Sequence, residues 1–406
     1  MIPTGLLFFS RSGTSLVKPK RRTKIEVRTR KPIQTHKESE TPKRSEIYPR
    51  IDLCGQEIRL FEMTSASGST EIHGKFHITK LSESPTYAAL SYTWGDIGSQ
   101  RMITMNGKKL AVGGNLWHFL HHRTAVDLAT HRFLWIDAIC IDQQDVSERN
   151  HQVGLMREIY SKASVVVIWL GRESNDSNVA MEYVAKKGLA PLKPKGPGYR
   201  ALWTRAQGKA LYDLCFRPYW RRVWIIQEIL NAQEIVVMCG TKRFEWRAFE
   251  SLYHKAKVLD LRGWIFHHEF ATGLLEGPAM TTVWQRAHYR HPDTPAPLLQ
   301  ELLKVFQDWQ CSDSRDKVYG LLGLVGTAEI IAADYSLTGE GVYGQVVASL
   351  RYSEEDDGHF CKILRRSLKL PPRKSSEVKI RGNRYYYQDD WPRDIYKWIG
   401  GRKYLV

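Results

Sequence analysis

The chain has 406 residues, 42% of them hydrophobic and 13 of them Trp, which is enough for two or three domains with real cores and excludes a disordered chain. No run of ~18 apolar residues offers a membrane-spanning helix. The net charge of +17 is unevenly placed: residues 1–50 hold 13 Lys/Arg against 4 Asp/Glu, so the excess is chiefly a basic tail and not a nucleic-acid surface spread over the fold.

That tail, residues 1–46, reads as solvated and disordered. It could touch an anionic surface or RNA, or act as a nuclear or mitochondrial address, because its first 25 residues carry no acid. The rest reads as cytoplasmic. Six cysteines (Cys54, Cys140, Cys215, Cys239, Cys311, Cys361) are scattered singly, with no C-x-x-C pair, as reduced thiols are. The doublets His121–His122 and His267–His268 diverge on a helix, so no metal site is expected.

In chain order, Glu57 to Met63 reads as a strand and Gly74 to Ile78 as another. "YAALSYTW" (87–94) reads as a third, ended by the turn pair Gly95-Asp96. "MITMNGKKLAV" sets Asn106-Gly107 between two short runs, a hairpin signal. Asn115 can cap a helix carrying Leu116, Phe119, Leu120 and Val126. Phe133 to Ile141 reads as one strand interrupted by Asp137. Asp145 and Glu148 form a capping-box pattern before a helix striped with Val153, Met156, Ile159 and Tyr160.

"SVVVIWL" (164–170) is apolar throughout, as strands of a parallel sheet are. Asp176 can cap a helix to about Lys187, and residues 188–200 form a Pro/Gly-rich loop. Trp203 to Phe216 reads as helix, and Pro218 as the start of another containing Trp220, Val223, Trp224 and Gln227. "EIVVMC" (234–239) reads as a strand, and Phe244–Trp246 turns into a helix to about Val258. Residues 259–312 look helical, and Asp313 or Ser314 can cap a helix through Val318, Leu321 and Leu322. Residues 351–406 show no clear periodicity. Strand–helix alternation argues for an α/β fold with a largely parallel sheet flanked by helices, an added hairpin and a mostly helical C-terminal part. The expected division is a tail (1–46), an α/β domain (47–258), a helical extension (259–350) and a poorly defined segment (351–406).

Three segments in fixed order carry a resemblance: "YAALSYTWGD" (87–96), "LWIDAICIDQQDVSERNHQVGLMREIYSKASVVVIWLG" (134–171) and "RPYWRRVWIIQE" (217–228). "IRLFEM" (58–63) and "SRDKVYGLLGL" (314–324) flank them. Together they resemble the HET (heterokaryon incompatibility) domain of filamentous fungi over roughly residues 47–335. That resemblance implies an effector in non-self recognition that triggers programmed cell death, and an α/β fold distantly similar to TIR domains. It implies as partners other proteins of an incompatibility or NLR-type pathway, with self-association among the options. It also gives Trp224-Ile-Ile-Gln-Glu228 a meaning, because W-x-x-x-E resembles the segment holding the catalytic Glu of NAD-cleaving TIR domains.

Two mechanisms stay open. One is a signalling and interaction module with no cofactor. The other is an NAD(P) glycohydrolase in which Glu228 is the acid and Asp137, Trp94, Asp96, Trp224 and Gln227 shape the pocket; an acid beside a flat aromatic suits an oxocarbenium-like charge. Asp137 lies near a strand's carboxyl end, where ligands of α/β sheets bind, or it is a buried carboxylate paired with loop amides, Arg221 or Arg222. Cys140 has no base at a recognisable spacing and reads as core filling. Glu228 reads equally as a plain helix end or a partner of a local Arg.

Overall fold

The computed structural model describes residues 47–65, 71–95, 98–123, 131–190, 202–261, 270–326, 331–349, 357–371, 378–381, 384–387, 396–399 and 402–405. The basic tail, Asp96, Val126 and His267–His268 lie outside the described residues.

The strands are β1 (Glu57–Met63), β2 (His73–Lys80), β3 (Ala88–Tyr92), β4 (Gln100–Met105), β5 (Lys108–Gly113), β6 (Phe133–Trp135), β7 (Val165–Trp169), β8 (Ile235–Cys239) and β9 (Lys242–Glu245). They form one nine-stranded sheet in the order β5-β4-β2-β1-β6-β3-β7-β8-β9. Its centre, β6-β3-β7-β8, is parallel, as the apolar runs required. Every residue of β3 and β7 is buried, so both faces of the centre are covered. The sheet as a whole is mixed: β1 pairs antiparallel with both β2 and β6, and β8 with β9. The predicted hairpin is β4–β5, with Asn106 (φ 48°) and Gly107 (φ 79°) both left-handed, as a type I′ turn demands.

Of the helices, α1 (Gly114–Arg123), α2 (Asp137–Cys140), α3 (Val146–Gly154), α4 (Met156–Lys162), α5 (Ser177–Lys187), α6 (Arg205–Cys215), α7 (Ile225–Asn231) and α8 (Trp246–Leu261) accompany the sheet. Helix α7 packs on α4 and β3, whereas α5 packs on α6, α8 and β9. The C-terminal helices are α9 (Ala271–Leu275), α10 (Pro278–Tyr289), α11 (Leu299–Val305), α12 (Asp316–Leu322), α13 (Gly339–Ser349) and α14 (Asp357–Ser367). Helix α10 packs on α6, α7 and α8, and α12 on α7. Two further hairpins follow, β10–β11 (Val378–Arg381, Arg384–Tyr387) and β12–β13 (Tyr396–Ile399, Arg402–Leu405).

Several local expectations are corrected. The stretch 133–141 is not one strand: only Leu134 and Trp135 pair with β3, and the chain then coils into α2, with Cys140 N–H bonding Ile136 O at 2.7 Å. A buried apolar run is compatible with either conformation, and strand pairing, which ends here, decides. Asn115 lies inside α1 and spends its amide on neighbouring strands instead of capping. Asp176 sits left-handed before α5 with no capping bond. Asp145 does cap α3, accepting from Ser147 N and Glu148 N, but Glu148 turns away from the reciprocal bond toward Arg59. The helix begun at Pro218 breaks into a 3-10 turn (Pro218–Arg221) and α7. In the segment read as featureless, Phe360, Leu364 and Leu368 recur every four residues and are buried.

Candidate functional site

Among the parallel strands, β3 carries Ser91 and Tyr92 at its carboxyl end. From β3 the chain leaves toward the β6 side of the sheet, and from β7 toward β8, which makes the space between β3 and β7 the topological switch point where α/β sheets bind ligands. Asn115 bridges it: its Nδ2 donates to Thr93 O (2.6 Å) and its Oδ1 accepts from Trp169 Nε1 (2.9 Å). Gly171, at φ 97°, lets the chain turn beneath. Arg217 fixes that turn, donating from Nη1 to Leu170 O (2.8 Å) and Arg172 O (2.9 Å) and from Nη2 to Ser174 Oγ (2.9 Å). A cleft of about 420 Å³ opens beside it, lined by Leu170, Ser174, Ser177, Asp213, Phe216 and Arg217.

Asp137 opens α2, one residue past the extended Ile136. Its Oδ2 accepts from Trp94 Nε1 (2.8 Å) and its Oδ1 from Ala138 N (2.7 Å). Burial raises its pKa, and the charge of Arg222 with these two hydrogen bonds opposes the rise. Trp94 is 44% exposed, so it is the accessible part of the predicted constellation, with the Asp137 carboxylate held behind it. The loop beyond Asp137 is anchored from below. Buried Arg59 donates to Cys140 O (3.1 Å), to both oxygens of Glu148 (2.5 and 2.9 Å) and, through Nε, to Pro49 O (2.8 Å). Glu148 Oε1 also accepts from Asp142 N (2.6 Å).

Glu228 lies in the first turn of α7 and is 2% exposed. Its Oε2 accepts from Ser91 Oγ, and Ser91 Oγ is 2.6 Å from Tyr219 OH. A hydroxyl has one proton, so with Ser91 donating to Glu228 the phenol must donate to Ser91. Burial pushes the Glu228 carboxyl up to about 7; Arg222 and Ser91 pull it down, and Asp137 adds to the rise. Arg222, bonded through Nη1 to Tyr92 O, therefore acts electrostatically on both carboxyls. An acid poised near neutrality and buried in a low-dielectric setting can exchange a proton at physiological pH.

The other predicted residues point elsewhere. The indole of Trp224 donates to Asp316, whose carboxyl burial pushes up to about 6 and whose Oδ1 also accepts from Tyr335 OH (2.6 Å). Gln227 is buried toward Gly323 and Arg157, and its Nε2 has no hydrogen-bond partner among the described residues. The four-residue spacing thus does not bring the Trp224 ring and the Glu228 carboxyl to the same neighbours. Cys140 is fully buried, its thiol pushed up to about 12 by burial, and Ile136 N donates to its sulfur (3.3 Å). Ser91 and Tyr219 were missed. Ser91 had a signal, as the one small polar residue in the otherwise apolar "AALSY"; Tyr219 had none.

The model of the family described as Heterokaryon incompatibility protein (HET) matches residues 87–228, from Tyr87, just before β3, to Glu228 itself. Residues 87–228 are thus similar to the HET domain family. The matched region runs from the first central strand to the buried acid on α7. Beyond it, the chain is 28% identical over 333 residues to "Heterokaryon incompatibility protein 6, OR allele" of Neurospora crassa, an alignment covering 67% of this chain and 48% of that protein. The chain thus spans about half the length of that relative. No solved structure matches it. Among the described residues, no helix is long and apolar enough to cross a membrane.

Proposed function

We propose that the chain acts in fungal heterokaryon incompatibility, as a HET-domain signalling and interaction module whose output is programmed cell death. The observation that carries this reading is the similarity to the Neurospora protein, which extends well beyond the 87–228 match. Partners would be other proteins of an incompatibility or NLR-type pathway, or further copies of the chain, met in the cytoplasm. On this reading Glu228 is a polar anchor that ties α7 to β3 through Ser91, and Trp94 belongs to the contact surface.

A second reading rests on a different observation, two carboxyls of raised pKa sharing Arg222 near the carboxyl ends of β3 and β6. It makes the domain a TIR-like NAD(P) glycohydrolase with Glu228 as its acid. One experiment addresses both. The chain and its Glu228→Gln variant are expressed from an inducible promoter in a fungal host, with growth and total NAD followed. Growth arrest by both proteins at constant NAD supports the module. Arrest with NAD loss by the unsubstituted chain alone supports the enzyme. Undisturbed growth with both proteins accumulated overturns the cell-death role.

A further inference from the structure

Helix α1 brings to the switch point a group of basic side chains that neither reading uses. Trp117 stacks on His121 (centroids 4.9 Å apart, planes 9° apart) and meets His118 edge-on at 5.3 Å. The guanidinium of Arg101, from β4, lies 5.5 Å from the Trp117 ring centre. His122 continues the cluster, 6.3 Å from His118 and 5.9 Å from Trp169, and its Nδ1 is 2.8 Å from His118 O. Arg172, on the turn after β7, acts on His118 more strongly than any other charge. Arg101 and Arg172 are exposed, while His118 is half-buried.

Three features of this cluster point to a ligand. The charges that weigh most on His118 are all basic (Arg172, His122, Arg101 and His121), and like charges gathered at a half-buried site disfavour one another. The indole holds one guanidinium in place, which lowers the entropy lost when it engages an oxyanion. Asn115, on the same helix, bridges Thr93 and Trp169, so the cluster abuts the crevice in which this class of sheet holds ligands. A metal does not suit the site: among the described residues no three His, Cys, Asp or Glu side chains are placed to hold one. We propose that Arg101, His118, His122 and Arg172 form a binding site for the phosphate group of a small phosphorylated ligand. The compact patch, bounded by one helix, one strand end and one turn, fits a phosphate or pyrophosphate group better than a long polyanion. The site requires nothing of Glu228.

The charge on the imidazoles supplies a signature. Burial and the neighbouring cations hold His118 below the usual imidazole value, so it is neutral when the site is empty at neutral pH. A bound dianion favours its protonation, and affinity therefore rises as pH falls. Sulfate is a suitable probe, because its own charge is constant across this range. Histidine ring resonances of the full chain are followed by NMR during sulfate titration, with pyrophosphate added in a parallel series. The expected result is saturable shifts of His118 and His122 and sulfate affinity at least about fivefold higher near pH 6 than near pH 8. The double variant Arg101→Gln/Arg172→Gln, at an unchanged melting temperature, is expected to bind pyrophosphate at least about tenfold more weakly. Non-saturating shifts, pH-independent affinity or undiminished binding by the double variant would overturn the proposal. So would preference for an RNA oligonucleotide over pyrophosphate, with a steep salt dependence, because the ligand would then be a polymer backbone.

Discussion

Replacing Glu228 by Gln tests how its carboxyl is held. The group titrates at about 7 in the folded protein against 4.5 when freely solvated. Raising the folded-state value above the unfolded one means that protonation favours the native state. Stability is then complete below about pH 4.5 and falls as pH rises toward 7; above that the ionised, buried carboxylate costs about 3 kcal/mol. In the Glu228→Gln variant the amide keeps a carbonyl oxygen to accept from Ser91 Oγ and cannot ionise. Asp137, also raised, is present in both proteins and cancels to first order. Urea unfolding of both proteins at several pH values between about 5 and 8 should show the variant gaining about 2.5 kcal/mol on the unsubstituted chain across that range. A difference that stays constant to within about 0.5 kcal/mol would mean that Glu228 titrates as an ordinary carboxylate, and the argument for a neutral-range acid would fall.

Two further outcomes follow from packing. Arg59→Met leaves the buried Glu148 carboxylate to Asp142 N and should cost about 3–5 kcal/mol, of which Arg59→Met/Glu148→Leu recovers at least half. A cost below about 1 kcal/mol in urea unfolding would show that the ion pair does not anchor the 137–145 loop. At Gly74 an added Cβ would lie 2.1 Å from Phe61 Cε2 across the β1–β2 ladder, so Gly74→Ala should lose about 1–3 kcal/mol in thermal or urea unfolding. Adding Phe61→Leu should return part of that loss, and an unaffected Gly74→Ala protein would refute the steric reading.

Much of the fold is legible along the chain because its signals are local. "VVVIW", short, β-branched and closed by Gly171, reads as a strand buried on both faces, and Asn106-Gly107 reads as a tight hairpin turn. The family is legible as well, since the order of "YAALSYTW", "LWIDAICIDQQD" and "RPYWRRVWIIQE" is a property of the sequence, and the match to residues 87–228 bears it out. The candidate site is another matter. The sequence names Asp137, Trp94, Trp224, Gln227 and Glu228 but cannot say which of them meet.

Those meetings are decided by how elements far apart in the chain pack together. Trp94 reaches Asp137 because β3 and β6 are sheet neighbours, whereas Trp224, on a turn of backbone next to Glu228, is drawn toward Asp316 on α12. Glu228 acquires its near-neutral titration from the burial that α7 gains against β3, and Ser91, 137 residues earlier, pulls it back only in part. In the same way Asp137 ends up opening a turn of helix, because the strand pairing that would have kept residues 136–141 extended stops at Trp135. Periodicity and propensity act over a few residues and are written in the sequence; desolvation and cross-strand hydrogen bonding exist only once the sheet has formed, so they belong to the tertiary structure.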